Sequence, residues 1–203
     1  TSFIKEVILM ASPKYAWVIG FGCFLCGMTT MGGIVVFTYC MISVAGEFGI
    51  QVADLAICTS MYTLGCNGLS WLAGMINEKV GPRWTMGLGI LGNSSSFLCV
   101  AAFAHSLGVL TLLYFIAGAF AATLVGSCMP KLISDWFAPQ HRGKANLMYT
   151  LGPTLSGALM GIVIPILLAS EGGWRSCFYI IGGFCFCCGL IFLLIVRNTP
   201  AHM

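Results

Sequence analysis

Ser60, Thr63, Asn67, Ser70 and Gly74 recur at i, i+3, i+7, i+10 and i+14 within an otherwise apolar stretch. At 3.6 residues per turn they share one face of a helix. Hydroxyls and a carboxamide on one face can line an aqueous cavity and hydrogen-bond a polar solute. Small residues at the same spacing can equally form a close seam to a second helix, and spacing alone admits both. Other apolar stretches carry similar neutral groups. One offers Thr29, Thr30, Gly32, Gly33, Thr38 and Tyr39, and another Tyr114, Gly118, Thr123 and Ser127. A third has Tyr149, Pro153, Ser156 and Met160 along one side, with Gly157 and Gly161 as a small-xxx-small pair. Pro153 removes an intrahelical hydrogen bond and predicts a bend near Gly152-Pro153. A single hydroxyl in such a helix usually bonds its own backbone. The candidates to line a common cavity are therefore Thr29, Thr30, Thr63, Asn67, Tyr114, Tyr149 and Ser156, provided that their helices converge.

Ionisable chemistry lies elsewhere. Glu78, Lys79 and Arg83 cluster after one polar stripe, and Asp135 and Arg142 after another apolar run. Glu47 and Asp54 flank a short connection and read as solvated interfacial residues. His105, His141 and His202 fall at loops or the terminus, and no stretch combines His, Asp and Glu at catalytic or metal-ligand spacing. No enzyme activity, metal or cofactor is expected. The eleven cysteines all fall inside apolar stretches and read as small packing residues; Cys23-Phe-Leu-Cys26 is a lone CxxC inside one of them.

The elements that hold these groups follow from composition. Of 203 residues 59% are apolar and only 7% are Asp, Glu, Lys or Arg, against about 25% charged in a soluble domain. The mean hydropathy is +0.97. Such a chain cannot cover a water-facing surface, which excludes a soluble enzyme, a nucleic-acid binder and a disordered tail. The expectation is an integral, multi-pass membrane protein. Its 26 glycines are nearly twice the usual share of ~7%, which suits closely approaching helix backbones.

Crossing the hydrocarbon core takes ~20 apolar residues. Charges and turn residues divide the chain into six such spans, at about 15–44, 55–76, 84–104, 108–132, 145–169 and 176–196. Residues 1–14 form a short amphipathic lead-in without a cleavable signal pattern, and 197–203 open a linker. Strands are excluded, because open sheet edges cannot sit in lipid. Lys5, Lys14, Lys79, Arg83, Lys131, Arg142, Lys144 and Arg197 fall on one side of this arrangement and only Arg175 on the other. The positive-inside rule then places both termini in the cytoplasm. The expected fold class is an all-α membrane protein with six transmembrane helices in one bundle.

The connection after the second span, Gly74-Met-Ile-Asn-Glu78-Lys79-Val-Gly81-Pro82-Arg83, resembles the G-x-L-x-D-R-x-G-R-R signature of the major facilitator superfamily. Gly74, Gly81 and Arg83 match directly, Glu78 and Lys79 keep the charges, and Pro82 departs from the pattern. Asp135-Trp136-Phe137 with Arg142-Gly143-Lys144-Ala145 is similar to the family's "DWF…RGxA" connection. Gly173-Trp174-Arg175-x-x-Phe178-x-x-x-Gly182 resembles its "GWRxxFxxxG" helix entry, and Arg197-Asn198-Thr199-Pro200 its "RDTP".

The resemblance implies the N-terminal six-helix half of a transporter. A second bundle would complete it: a C-terminal half, a second chain or a second copy. It implies that the first, second, fourth and fifth helices line the cavity while the third and sixth face lipid. It also gives a gating role to Gly74, Glu78, Lys79, Gly81, Arg83, Asp135 and Arg142, with the two arginines and Lys79 in reach of Glu78 or Asp135. The implied function is a symporter or uniporter moving a small organic solute by alternating access. The motif set resembles the organic-anion and monocarboxylate side of the family. Yet Tyr114 stands four residues before Gly118, where anion-carrying relatives commonly place an Arg. The absence of charge at mid-membrane admits one alternative, a transporter-like membrane partner or regulator that moves nothing. Small solute and lipid are the expected partners, and nucleic acid is not.

Overall fold

A computed structural model describes residues 13–124, 128–137, 139–169 and 172–196. Most of the lead-in, Ser127 and the Arg197-Asn198-Thr199-Pro200 motif lie outside these residues. The described residues are almost entirely helical and contain no strand. In chain order the helices are α1 (Pro13–Phe48), a 3₁₀ turn (Val52–Leu55), α2 (Ala56–Gly68), α3 (Ser70–Val80), α4 (Pro82–Phe103), α5 (Leu107–Ala121), α6 (Cys128–Trp136), α7 (Arg142–Leu168) and α8 (Gly173–Ile195).

Among the described residues four helices are long and apolar enough to cross a membrane: α1 over Trp17–Phe48, and α4, α7 and α8 over their full lengths. The stretches expected as the second and fourth spans are each built from two helices. Between α2 and α3, Leu69 leaves helical geometry at φ −102°, ψ 2°, directly after Gly68. Backbone bonds from Leu69 N to Gly65 O and from Ala73 N to Leu69 O still run through the junction, so the interruption is local. At the end of α5 the turn tightens: Thr123 N and Leu124 N donate to carbonyls three residues back, Phe120 O and Ala121 O. α7 passes through both Pro153 and Pro165 without interruption.

Local chemistry sets the ends. α1 stops where Gly49 turns to φ +65° and Ile50 N reaches back to Ala45 O at 3.1 Å, a left-handed finish that glycine permits. The next turn is held by Asp54, whose carboxylate accepts from the Gln51 N–H at 3.1 Å. α5 starts on Ser106, whose hydroxyl accepts from Val109 N.

α1 packs against α7 and α8, α4 against α8 and α5, and α2 against α5. The interior falls into two apolar clusters. One contains Phe37, Phe97, Tyr114, Trp174 and Phe178; the other contains Ile19, Met86, Ile90, Leu132 and Phe192. All eleven cysteines are free thiols; eight are buried and serve as packing residues, Cys66 and Cys99 are half-buried, and Cys187 is exposed.

In lipid, helices are held by van der Waals contact more than by expulsion of water, so the closest crossings matter most. Two stand out, and they share one geometry. Where α1 meets α7, a Cβ on Gly27 would lie 2.5 Å from the Tyr149 carbonyl oxygen, and one on Gly152 would lie 2.5 Å from the Phe24 carbonyl oxygen. Where α2 meets α5, a Cβ on Gly65 would lie 2.6 Å from the Phe115 carbonyl oxygen, and one on Gly118 would clash with that of Tyr62. In both crossings each glycine faces the carbonyl three residues before its partner glycine. Pro153 contributes to the first. It has no N–H to bond the Tyr149 carbonyl, which instead lies against Gly27. A Cβ on Gly157 would meet nothing within 4 Å and one on Gly161 only the Tyr39 side chain, at 3.2 Å, so the backbone-to-backbone contact of α7 lies at Gly152.

Candidate functional site

The α2–α5 seam decides which way the polar stripe faces. The buried face of α2 is Cys58, Tyr62 and Gly65. Ser60, Thr63, Asn67 and Ser70 stand on another face and are exposed. They are therefore no seam within this bundle. Thr59, Ser60, Thr63, Leu64, Asn67 and Gly68 line an open concavity of about 510 Å³.

The chemistry of this concavity is neutral and weighted toward accepting. The hydroxyls of Thr59, Thr63 and Ser70 donate to the carbonyls of Ala56, Thr59 and Asn67 at 2.8–2.9 Å. The lone pairs of Thr59 and Thr63 stay open to the concavity. The side chains of Ser60 and Asn67 have no partner among the described residues, which leaves a hydroxyl and a carboxamide to donate. α7 carries a similar exposed polar arc in Asn146, Thr150 and Thr154, and again Thr150 and Thr154 donate to their own helix. Beside each arc lies an exposed apolar one, with Ile57 on α2 and Trp71 on α3, and Leu151, Ile162 and Ile166 on α7.

Of the other cavity candidates, Thr29, Thr30, Tyr114 and Ser156 are buried within the bundle. Thr29 and Thr30 donate to Cys26 O and Gly27 O. Tyr114 is enclosed by rings, 4.6 Å from Phe37, 6.0 Å from Phe97 and 6.4 Å from Tyr62 between centroids. The Ser156 hydroxyl lies 3.8 Å from the Met160 sulfur. Tyr149 is half-buried beside the Ile19 cluster. The structure thus brings Thr63 and Asn67 together on the concavity and keeps these five apart from it.

At the signature loop, Gly81 adopts φ +88°, ψ 160° and serves α3 and α4 at once. Its N–H donates to Asn77 O, and its carbonyl accepts from the Thr85 N–H and hydroxyl. Gly74 is half-buried on α3. Glu78, Lys79 and Asp135 are exposed and form no ion pair among the described residues. Arg83 donates through Nε and Nη2 to Leu193 O at 3.0 and 2.8 Å. Arg142 donates to Phe137 O and Ser134 O, both at 3.1 Å. These arginines reach carbonyls at the C-terminal ends of α8 and α6, where the helix dipole places partial negative charge.

Sequence reasoning missed the opposite end of the bundle. Glu47, read as a solvated residue, accepts both Arg175 Nη1 at 2.7 and 2.8 Å and the Trp174 indole N–H at 2.6 Å. Contacts across 127 and 128 residues leave no local signal. This clamp ties the end of α1 to the start of α8. The two charged side chains are 30% and 41% exposed, so solvent screens the pair to about 1 kcal/mol. Glu47→Gln should lower the thermal unfolding midpoint by roughly 2–4 °C, read by size exclusion after heating. An unchanged midpoint would remove the clamp from the account.

The sequence profile of the Major Facilitator Superfamily matches residues 19–203. The chain belongs to that superfamily. It corresponds to the N-terminal half of the family's fold, and so to an integral, multi-pass membrane protein. It is 24% identical over 169 residues to a "probable hexose phosphate transport protein" of Chlamydia pneumoniae, covering 82% of this chain and 36% of that one. It is 30% identical over 138 residues to the puromycin resistance protein pur8 of Streptomyces alboniger, covering 68% and 27%. A "probable L-galactonate transporter" of Escherichia coli K12 is 24% identical over 145 residues, covering 70% and 30%. The chain spans about a third of the length of these curated relatives.

Proposed function

We propose that this chain is one half of a secondary transporter or facilitator that moves a small organic solute by alternating access. The observation that carries the proposal is the open face of α2, where Ser60, Thr63 and Asn67 present uncharged hydrogen-bonding groups over a concavity of about 510 Å³. In a chain of this hydropathy, an exposed polar face beside an exposed apolar one needs water or solute on one side and lipid on the other. Six crossings fit if α2 with α3, and α5 with α6, each count as one, which leaves both termini on the cytoplasmic side. A second bundle, supplied by a C-terminal half, a second chain or a second copy, closes the path over this face.

The solute class we favour is a hydroxylated organic anion. Thr63 and Asn67 suit its hydroxyls, and with Tyr114 at the position four before Gly118 the cation for its charge comes from the second bundle. The relatives described as hexose phosphate and L-galactonate transporters support this class. Glu78, Lys79 and Asp135, uncommitted here, gate by pairing differently in the other state, since only differential contacts shift such an equilibrium. Gly74, Gly81, Arg83 and Arg142 hold the loops that carry them.

The test is uptake by the full-length protein in proteoliposomes, with labelled glucose 6-phosphate, glycerol 3-phosphate and L-galactonate as probes. Saturable uptake of at least one, weakened by Asn67→Leu, is expected. No uptake of any probe by folded protein would favour a transporter-like regulator that moves nothing.

A further inference from the structure

α4 and α8 pack against each other along their lengths and run antiparallel: Arg83 at the start of α4 meets Leu193 in the last turn of α8. Each helix opens with an arginine beside a tryptophan, as Pro82-Arg83-Trp84 in α4 and Gly173-Trp174-Arg175 in α8. At the far end Arg175 Nη2 donates to Ala104 O at 3.2 Å, and Ala104 is the C-cap of α4. Each guanidinium also lies over its neighbouring indole, 5.4 Å from the Trp84 centroid and 4.4 Å from the Trp174 centroid. The start of each helix therefore supplies a cation to the end of the other.

The physical need is the same at both ends. The last carbonyls of a helix have no N–H ahead of them and carry the negative end of its dipole. Near hydrocarbon there is little water to satisfy them. Arginine meets that need better than lysine, because its planar fork can donate twice and stack on an aromatic ring together. At Leu193 two donors of Arg83 converge on one oxygen. At Ala104 the same guanidinium that caps α4 also grips Glu47 of α1.

We propose that Arg83 and Arg175 are reciprocal caps that fasten α4 and α8 into one strut at both ends. Between the caps the two helices touch closely. A Cβ on Gly182 would lie 3.1 Å from the Leu98 side chain, and one on Gly189 would lie 2.9 Å from both Ile90 and Leu91. The arginine of the signature loop thus ties α4 to α8, independently of the loop's carboxylates. This inference stands apart from the transport reading and needs no substrate to test.

The experiment uses the full-length protein in detergent, with thermal unfolding followed by size exclusion. Arg83→Ala and Arg175→Ala should each lower the midpoint by about 4 °C or more. A disulfide formed between Leu98→Cys and Gly182→Cys, which ties the middle of the strut, should remove most of each loss when both arms are measured in that background. Arg83→Lys, which keeps the charge without the fork, should lose part of the midpoint and serves if Arg83→Ala yields too little folded protein. Losses that persist undiminished in the cross-linked background would overturn the proposal, because the arginines would then act through something other than the α4–α8 pair. Midpoints unchanged by the arginine substitutions would overturn it equally.

Discussion

Replacing Gly118 with alanine should cost the protein about 3 kcal/mol, the upper end of overpacking penalties, and lower its unfolding midpoint by roughly 6–12 °C. The added methyl would run into the Tyr62 carbonyl, and backbone on the facing helix cannot rotate away as a side chain would. α2 and α5 would have to separate, which strips contact from Cys58, Tyr62 and Gly65 together. Gly65→Ala should behave alike against Phe115 O. Gly157→Ala is the control of opposite sign. Nothing lies within 4 Å of the added atom, and alanine in a helix interior is favoured over glycine by roughly 0.5–1 kcal/mol. Heating the three variants side by side checks the account. A Gly118→Ala midpoint at or above that of Gly157→Ala would show that the crossing is looser than described.

The second large effect is expected at Gly81. Valine there must adopt φ +88°, ψ 160°, a region that is almost exclusively glycine's and costs other residues about 1–3 kcal/mol. The junction would relax by shifting Pro82 and Arg83, and with them the cap on Leu193. Gly81→Val should abolish nearly all uptake of each probe the parent carries, while the amount of inserted protein falls far less. Undiminished uptake would deny the junction any part in the transport cycle.

How much of this was legible varied with the range of the interaction. The face shared by Ser60, Thr63, Asn67 and Ser70 was readable because helical periodicity is local. Which way it faces was not, because that depends on Gly65 meeting Gly118, and glycine carries no side-chain pattern to read. On α7 the same difficulty hid Gly152 behind the more regular Gly157/Gly161 pair. The sequence motifs pointed to Arg83, Arg142 and Arg175 as important, but carboxylate partners were expected for the first two. The structure gives them helix-end carbonyls, groups present at every helix terminus and therefore invisible as a motif. Thr29, Thr30 and Tyr114 were legible as polar residues in apolar helices, whereas their burial depends on how α1 and α5 are rotated.

The central claim is that the exposed polar face of α2 borders a water-filled solute path while its apolar neighbours border lipid. Thr63→Cys and Asn67→Cys in the full-length protein in membranes, treated with a water-soluble thiol reagent, test it most directly. Ile162→Cys, on the 66% exposed apolar arc of α7, is the comparison, and the parent with its eleven native cysteines sets the background. Positions 63 and 67 should label far faster than position 162, and a transported probe should slow them. Labelling at 63 and 67 no faster than at 162 would put the stripe against lipid or protein and contradict the reading of this chain as half of a solute path.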